Sequence, residues 1–284
     1  MKTSVFAMVL MILLANNVQA QSFKVLNPKV QQGDVLVIRI NPGWMPPATS
    51  NPTIFIFGKH YRSDWQGRVL IGIKMDTPPS VYRAIFNENS LRAIWYYEDI
   101  EVSEANFDKT RSSSFIGKPR LRNDRQKQRI NSAFGSKNQS EFDLTGGLGY
   151  VDPLGTARDI IDPFGYIYKN NPYRPHEGVD LKAPIGTQVM AVNNGKVVLV
   201  AKRFRAEGNM VIINHGLGIF SVYMHLSKFQ VKEGDMVKRG QIIALSGDSG
   251  AGVEEPHLHF NIKIQDSYID PLKFIDTVNQ YIFI

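Results

Sequence analysis

Five of the six histidines lie between positions 176 and 259, and four of them stand in chemically suggestive settings: His176-Glu177-Gly178-Val179-Asp180, His225, and His257-Leu258-His259. Imidazoles gathered around a carboxylate point to a metal site. Residues two apart on a β-strand face the same way, so His257 and His259 can look into one cleft. The run from Pro256 to Ile264 supports a strand, because Leu258, Phe260, Ile262 and Ile264 form an apolar face opposite the histidines. His176 and Asp180 are four apart, which suits a helix, but Gly178 and the following Ala183-Pro184-Ile185-Gly186 argue for an extended or turned segment feeding a strand.

The chain has no cysteine, so thiolate sites are excluded and only His and carboxylate ligands remain. That donor set suits Zn2+ in a hydrolytic site better than a structural zinc site. His176, Asp180 and one of His257 and His259 supply the three protein ligands of a catalytic zinc, with a fourth position for water. Two neutral imidazoles and one carboxylate leave such a centre at about +1, a Lewis acid that draws the pKa of its water towards ~7. The other member of the pair and His225 are then available as proton shuttles or as donors to the oxyanion formed on a carbonyl. Glu177 follows a histidine as in the zincin motif, but Asp180 replaces that motif's second histidine and Gly178 interrupts its helix, so Glu177 has no role here. His215 in Asn214-His215-Gly216 reads as a structural turn residue, and His60, beside Lys59 and Tyr61 in a loop after a strand, as an ordinary surface histidine.

These groups must be held by a chain of 284 residues, long enough for two domains. Residues 1–20 read as a signal peptide: Lys2, an apolar run from Val5 to Ala15, and Val18-Gln19-Ala20 before the cleavage point at Gln21. The run is too short for the ~18 residues of a membrane span, so no stable membrane insertion is expected after cleavage. The expected location is the periplasm or the exterior. Formal net charge is +7, of which Lys2 is the only contribution from the signal. Eight bases between Lys109 and Arg129 face only Asp124, and this run reads as the solvated face of an interdomain connector or as an attractor of wall polymer or anionic lipid, not of nucleic acid.

From Phe23 to about Val102, short apolar runs alternate with turn residues: Val35–Ile40, Thr53–Phe57, Val69–Ile73, Val81–Phe86 and Leu91–Val102. Strands at this spacing predict a small β-sandwich over 21–107. Its Trp44 and Trp65 are open to glycan binding or to ordinary packing. A polar helical stretch, Leu121 to Ile130, falls in a basic, partly helical linker over 108–139, followed by a loop to about residue 150. Strands then recur over 140–284: Thr187–Val192, Gly195–Ala201, Met210–Ile213, Phe220–His225, Gln241–Leu245 and His257–Ile264. The fold class is therefore mainly β, with a second, mainly antiparallel domain holding the clustered histidines.

Five segments in order resemble the lysostaphin-type (LytM-like) zinc endopeptidases: Pro175-His176-Glu177-Gly178-Val179-Asp180, Ala183-Pro184-Ile185-Gly186-Thr187 with Gly195-Lys196-Val197, Tyr223-Met224-His225-Leu226-Ser227, Gly234-Asp235-Met236-Val237 with Gly240-Gln241, and Pro256-His257-Leu258-His259-Phe260. The resemblance covers roughly residues 140–276. It implies an antiparallel β-sheet groove, one Zn2+ per chain, and hydrolysis of peptide bonds in peptidoglycan stems or cross-links. By position it makes His176, Asp180 and His259 the metal ligands and His225 and His257 the catalytic histidines. The N-terminal part resembles the immunoglobulin-like domain found before the peptidase in some members. The loop Gly247 to Pro256 departs from the family in Val253-Glu254-Glu255, and the segment from Tyr150 to Tyr173 is longer than usual, which bears on substrate choice. A wall-binding or amidase-activating relative without catalysis is the alternative, disfavoured because all five site residues are present. A zinc carboxypeptidase of another fold, built on a Glu-x-x-His segment, is a further alternative.

Overall fold

The computed structural model describes residues 23–40, 53–64, 66–87, 95–107, 123–135, 143–155, 158–167, 175–251 and 253–281. The expected signal peptide, Trp44, Trp65 and most of the basic run lie outside these residues. The chain divides into two compact units.

In the first unit, a three-stranded sheet orders Phe23–Val25, Val35–Ile40 and Arg68–Gly72. A five-stranded sheet orders Lys29–Gln31, Trp95–Ser103, Ser80–Asn87, Thr53–Ile56 and Lys59–Arg62. Alternation decides what is buried: Ile54 and Ile56, Ala84 and Phe86, and Tyr96, Ile100 and Val102 point inward. Phe23 of one sheet meets Phe86 of the other with ring centroids 6.0 Å apart, so the two sheets share a core. His60 differs from the expected loop. It lies on the exposed strand Lys59–Arg62, its ring 5.0 Å from that of Phe55, because Phe57 and Gly58 turn the chain directly back on itself.

The second unit is built on an eight-stranded sheet. Its order is Met236–Val237, Gly195–Phe204, Gly208–Asn214, Ile219–Met224, His257–Ile264, Val179–Lys182 and Ile160–Asp162, with Ser267–Ile269 also pairing His257–Ile264. A three-stranded sheet orders Gln188–Met190, Ile242–Leu245 and Lys228–Phe229. The pairings are antiparallel. In Gly195–Phe204, Val197, Leu199 and Ala201 alternate into the interior, as a half-buried strand requires.

Two helices are described. Asp124–Gly135 covers the helical part of the expected linker, yet it buries Ile130 and Ala133 against Leu199, Ala201, Phe204, Met210, Ile212, Phe220 and Val222. Phe134 adds an edge contact to Phe220 at 5.2 Å. Three apolar side chains on one side of an otherwise polar helix are enough to seat it on the sheet. The second helix, Pro271–Gln280, has no counterpart among the sequence expectations. Its start is conventional: Asp270 accepts from the Leu272 and Lys273 amides at 3.0 and 3.1 Å, and Pro271 stands at the first helical position. Leu272, Phe274, Ile275 and Val278 are buried.

Candidate metal centre

Three adjacent strands bring the clustered residues together. His257–Ile264 lies between Ile219–Met224 and Val179–Lys182, with Asp180 and Met224 both opposite His259. Asp180 and His259 are therefore fixed side by side by register, and His225 is the residue immediately beyond the strand that ends at Met224. His176 sits just before Val179–Lys182, where its amide donates to Tyr166 O at 2.8 Å.

The ligand atoms of His176, Asp180 and His259 converge. Asp180 Oδ1 is 2.7 Å from His259 Nδ1 and 3.3 Å from His176 Nε2, and the two nitrogens are 3.0 Å apart. His257 Nε2 stands further off, 3.7 Å from the same oxygen. The rings of His225 and His257 are 4.8 Å apart, and that of His225 is 6.0 Å from His259. Strand spacing leaves His257 and His259 equivalent; tertiary packing distinguishes them.

Three of these imidazoles are anchored alike. Nδ1 of His176 donates to Pro163 O at 3.0 Å, Nδ1 of His225 to Ser249 O at 2.8 Å, and Nδ1 of His257 to Glu255 O at 2.8 Å. A carbonyl only accepts, so each bond puts the proton on Nδ1 and leaves Nε2 as the lone-pair nitrogen of the neutral ring. For His176 that nitrogen faces Asp180 and His259, the state a metal ligand needs.

Electrostatics follow from burial and proximity. Burial alone would raise the Asp180 carboxyl, but His176 and His259 override it and hold it well below the usual carboxylate range. Burial likewise opposes charge on His176, and the adjacent Asp180 outweighs it, raising that pKa. Burial, with repulsion from His259 and His257, pushes His225 down to about 3.

Gly178 has a steric role. A Cβ there would lie 2.6 Å from Phe260 O, 2.9 Å from His259 Nε2 and 3.0 Å from Asn261 Cγ. The turn between His176 and Asp180 thus passes directly over the His259 ring, and Asn261 secures it by donating to Glu177 O at 2.9 Å. Two imidazoles and one carboxylate, with their ligand atoms converging and no room for a side chain at Gly178, fit a zinc ion.

A family model described as Peptidase family M23 matches residues 174–271, which include His176, Asp180, His225, His257 and His259. The chain carries an M23 peptidase domain. Peptidoglycan DD-endopeptidase ShyB of Vibrio cholerae is 42% identical over 99 residues, 35% of this chain and 23% of that protein. DD-carboxypeptidase/endopeptidase Mpg of Neisseria meningitidis is 36% identical over 126 residues, 43% of this chain and 28% of that protein. The chain thus spans about a quarter of the length of these curated relatives. A solved Pseudomonas aeruginosa structure described as a peptidase M23 superposes with a TM-score of 0.58 at 25% identity, over 86% of this chain and 94% of that one, so the likeness in fold extends beyond the M23 domain.

Other titratable residues stand apart from this chemistry. His215 is fully buried, its Nδ1 donating to Asn194 O at 2.7 Å and its Nε2 2.8 Å from Ser221 Oγ, and burial lowers its pKa to about 4. Of the basic run, Arg125 and Arg129 line a separate cavity of about 680 Å³ with Lys196 and Glu233. Arg129 is already paired there with Glu233 at 2.8 Å. Among the described residues no helix is long and apolar enough to cross a membrane.

Proposed function

We propose that the chain is a zinc-dependent endopeptidase that hydrolyses peptide bonds in peptidoglycan stems or cross-links. The observation that carries this reading is the convergence of His176 Nε2, Asp180 Oδ1 and His259 Nδ1 beside the paired rings of His225 and His257. The name of ShyB, a peptidoglycan DD-endopeptidase, supports the substrate class, and that of Mpg, a DD-carboxypeptidase/endopeptidase, supports peptide-bond hydrolysis.

In this reading His176, Asp180 and His259 hold one zinc. When bound, zinc supplies Lewis acidity towards the scissile carbonyl and a water molecule. His225 would take a proton from the attacking water at Nε2, because its Nδ1 is committed to Ser249 O. It would then pass that proton to the leaving amine. His257, held through Nδ1 by Glu255 O, would donate from Nε2 to the substrate oxygen in its protonated, imidazolium form. We further propose that residues 1–20 are a signal peptide that takes the chain across the cytoplasmic membrane.

Purified protein incubated with cell-wall sacculi, followed by mass spectrometry of the released muropeptides, tests the activity. Released fragments cut at a peptide bond, about one zinc per chain, and loss of release on chelation are expected. Zinc-free protein whose wall hydrolysis ignores chelator would overturn the reading. N-terminal sequencing of the mature protein, expected to begin at Gln21, tests export.

A further inference from the structure

The backbone at His225 takes φ +62°, in the left-handed region that non-glycine residues seldom occupy and that persists where surrounding contacts hold it. The strand Ile219–Met224 ends one residue earlier, and this single left-handed residue swings the imidazole towards His257. The groups that compel it come from two other segments. The His225 amide donates to Glu207 O and the Leu226 amide to Asn209 O, both at 3.1 Å. Leu226 O accepts twice, from Asn209 Nδ2 at 2.8 Å and from Ser249 Oγ at 2.7 Å.

Ser249 joins these segments. Its hydroxyl accepts from the Asn209 amide at 2.9 Å while donating to Leu226 O, and its carbonyl takes the Nδ1 proton of His225 at 2.8 Å. Both polar groups of one residue therefore grip the corner, one through the main chain next to His225 and one through the ring itself. The packing has no slack. A Cβ at Gly208, which has φ +65°, would lie 2.3 Å from the Ser249 carbonyl, and one at Gly250 would lie 2.7 Å from Ala206 O and Gly208 N. The Ala251 amide closes the arrangement on Arg205 O at 3.0 Å.

We propose that Ser249 is the positioning residue for His225: its hydroxyl holds the left-handed corner, and through it the Ser249 carbonyl fixes the His225 tautomer with Nε2 towards the cleft. The catalytic consequence rests on the endopeptidase reading above. Ser249 touches none of the three converging ligands in these contacts, so its role is separable from metal binding.

The test is Ser249→Ala, with Ser249→Thr as the variant that keeps a hydroxyl, measured in the zinc-loaded full chain. Nitrogen-15 NMR of the histidines is expected to show His225 as a single Nδ1-protonated tautomer in the parent and in Ser249→Thr, and as a mixture in Ser249→Ala. Bound zinc stays at the parent level in all three. Muropeptide release by Ser249→Ala is expected to show kcat lower by roughly 10- to 100-fold, the range for orienting groups one step removed from a metal site, with KM little changed. A His225 tautomer unchanged in Ser249→Ala, or activity lost together with zinc, would overturn the proposal. If the parent itself releases no muropeptides, the endopeptidase reading fails, while the tautomer comparison still decides whether Ser249 positions His225.

Discussion

Asp180 Oδ1 and His259 Nδ1 are 2.7 Å apart because their residues are directly opposed in an antiparallel ladder. The contact is fixed by backbone hydrogen bonds and not by a flexible loop, so these two candidate ligands are preorganised before any ion arrives. His176 reaches the same point from the turn that Gly178 permits, 3.3 Å from the same oxygen.

Replacing Asp180 by Asn keeps the shape and removes the charge that offsets a divalent ion. Loss of a group orienting a metal ligand costs roughly 10- to 100-fold in affinity, and loss of a charged ligand should cost at least the upper figure. Competitive zinc titration of Asp180→Asn is expected to give affinity lower by about 100-fold or more. An affinity within a few-fold of the parent would remove Asp180 from the ligand set.

Gly178→Ala puts a methyl group 2.6 Å from Phe260 O and 2.9 Å from His259 Nε2. Overpacking of this kind costs about 1–3 kcal/mol, and relief requires either the turn or the His259 ring to move. The expected result is a lower Tm together with weaker zinc binding. A stable variant with parental zinc affinity would show that the turn is not packed on His259.

His215 carries a pH dependence distinct from that of the metal centre. Its pKa falls from 6.5 to about 4 on burial, so between those values the unfolded chain binds a proton that the folded chain refuses. Stability from this residue is complete above about pH 6.5 and is lost as pH drops towards 4, by up to about 3 kcal/mol. An NMR titration of the His215 ring is expected to find its midpoint near 4 in the folded protein. A midpoint near 6.5 would contradict the burial argument.

Ile130→Ala separates a packed helix from a free connector. Ile130 is buried against the sheet face that holds Leu199, Phe204 and Phe220, so truncation should cost about 2–5 kcal/mol. Urea denaturation is expected to show that loss with zinc stoichiometry unchanged. A cost below about 0.5 kcal/mol, the range of surface substitutions, would mean that the helix does not contribute to the unit.

Much of this architecture was legible in local pattern. Alternation in His257–Ile264 and Val35–Ile40 identifies half-buried strands, because a side-chain period of two is written directly into residue order. The helix Pro271–Gln280 had the weaker signal of a capping Asp270, a following Pro271 and apolar Leu272, Ile275 and Val278, easily taken for the end of a β-rich segment. Its twelve-residue counterpart, Asp124–Gly135, shows the opposite limit: residue order reveals the helix, but a polar composition says nothing about which sheet its few apolar side chains will find.

The sequence by itself determined the donor types, their order along the chain and the shared face of His257 and His259, since these depend on chemistry and strand period alone. Only the tertiary structure distinguishes the surroundings of those two histidines. Register sets His259 opposite Asp180, and the Glu255 carbonyl turns His257 so that its Nε2 stands 3.7 Å from the same carboxylate. It also decided the left-handed corner at His225, which depends on hydrogen bonds with Glu207, Asn209 and Ser249, residues up to 24 positions away. Contacts of that range have no local periodicity, so no reading of residue order could contain them.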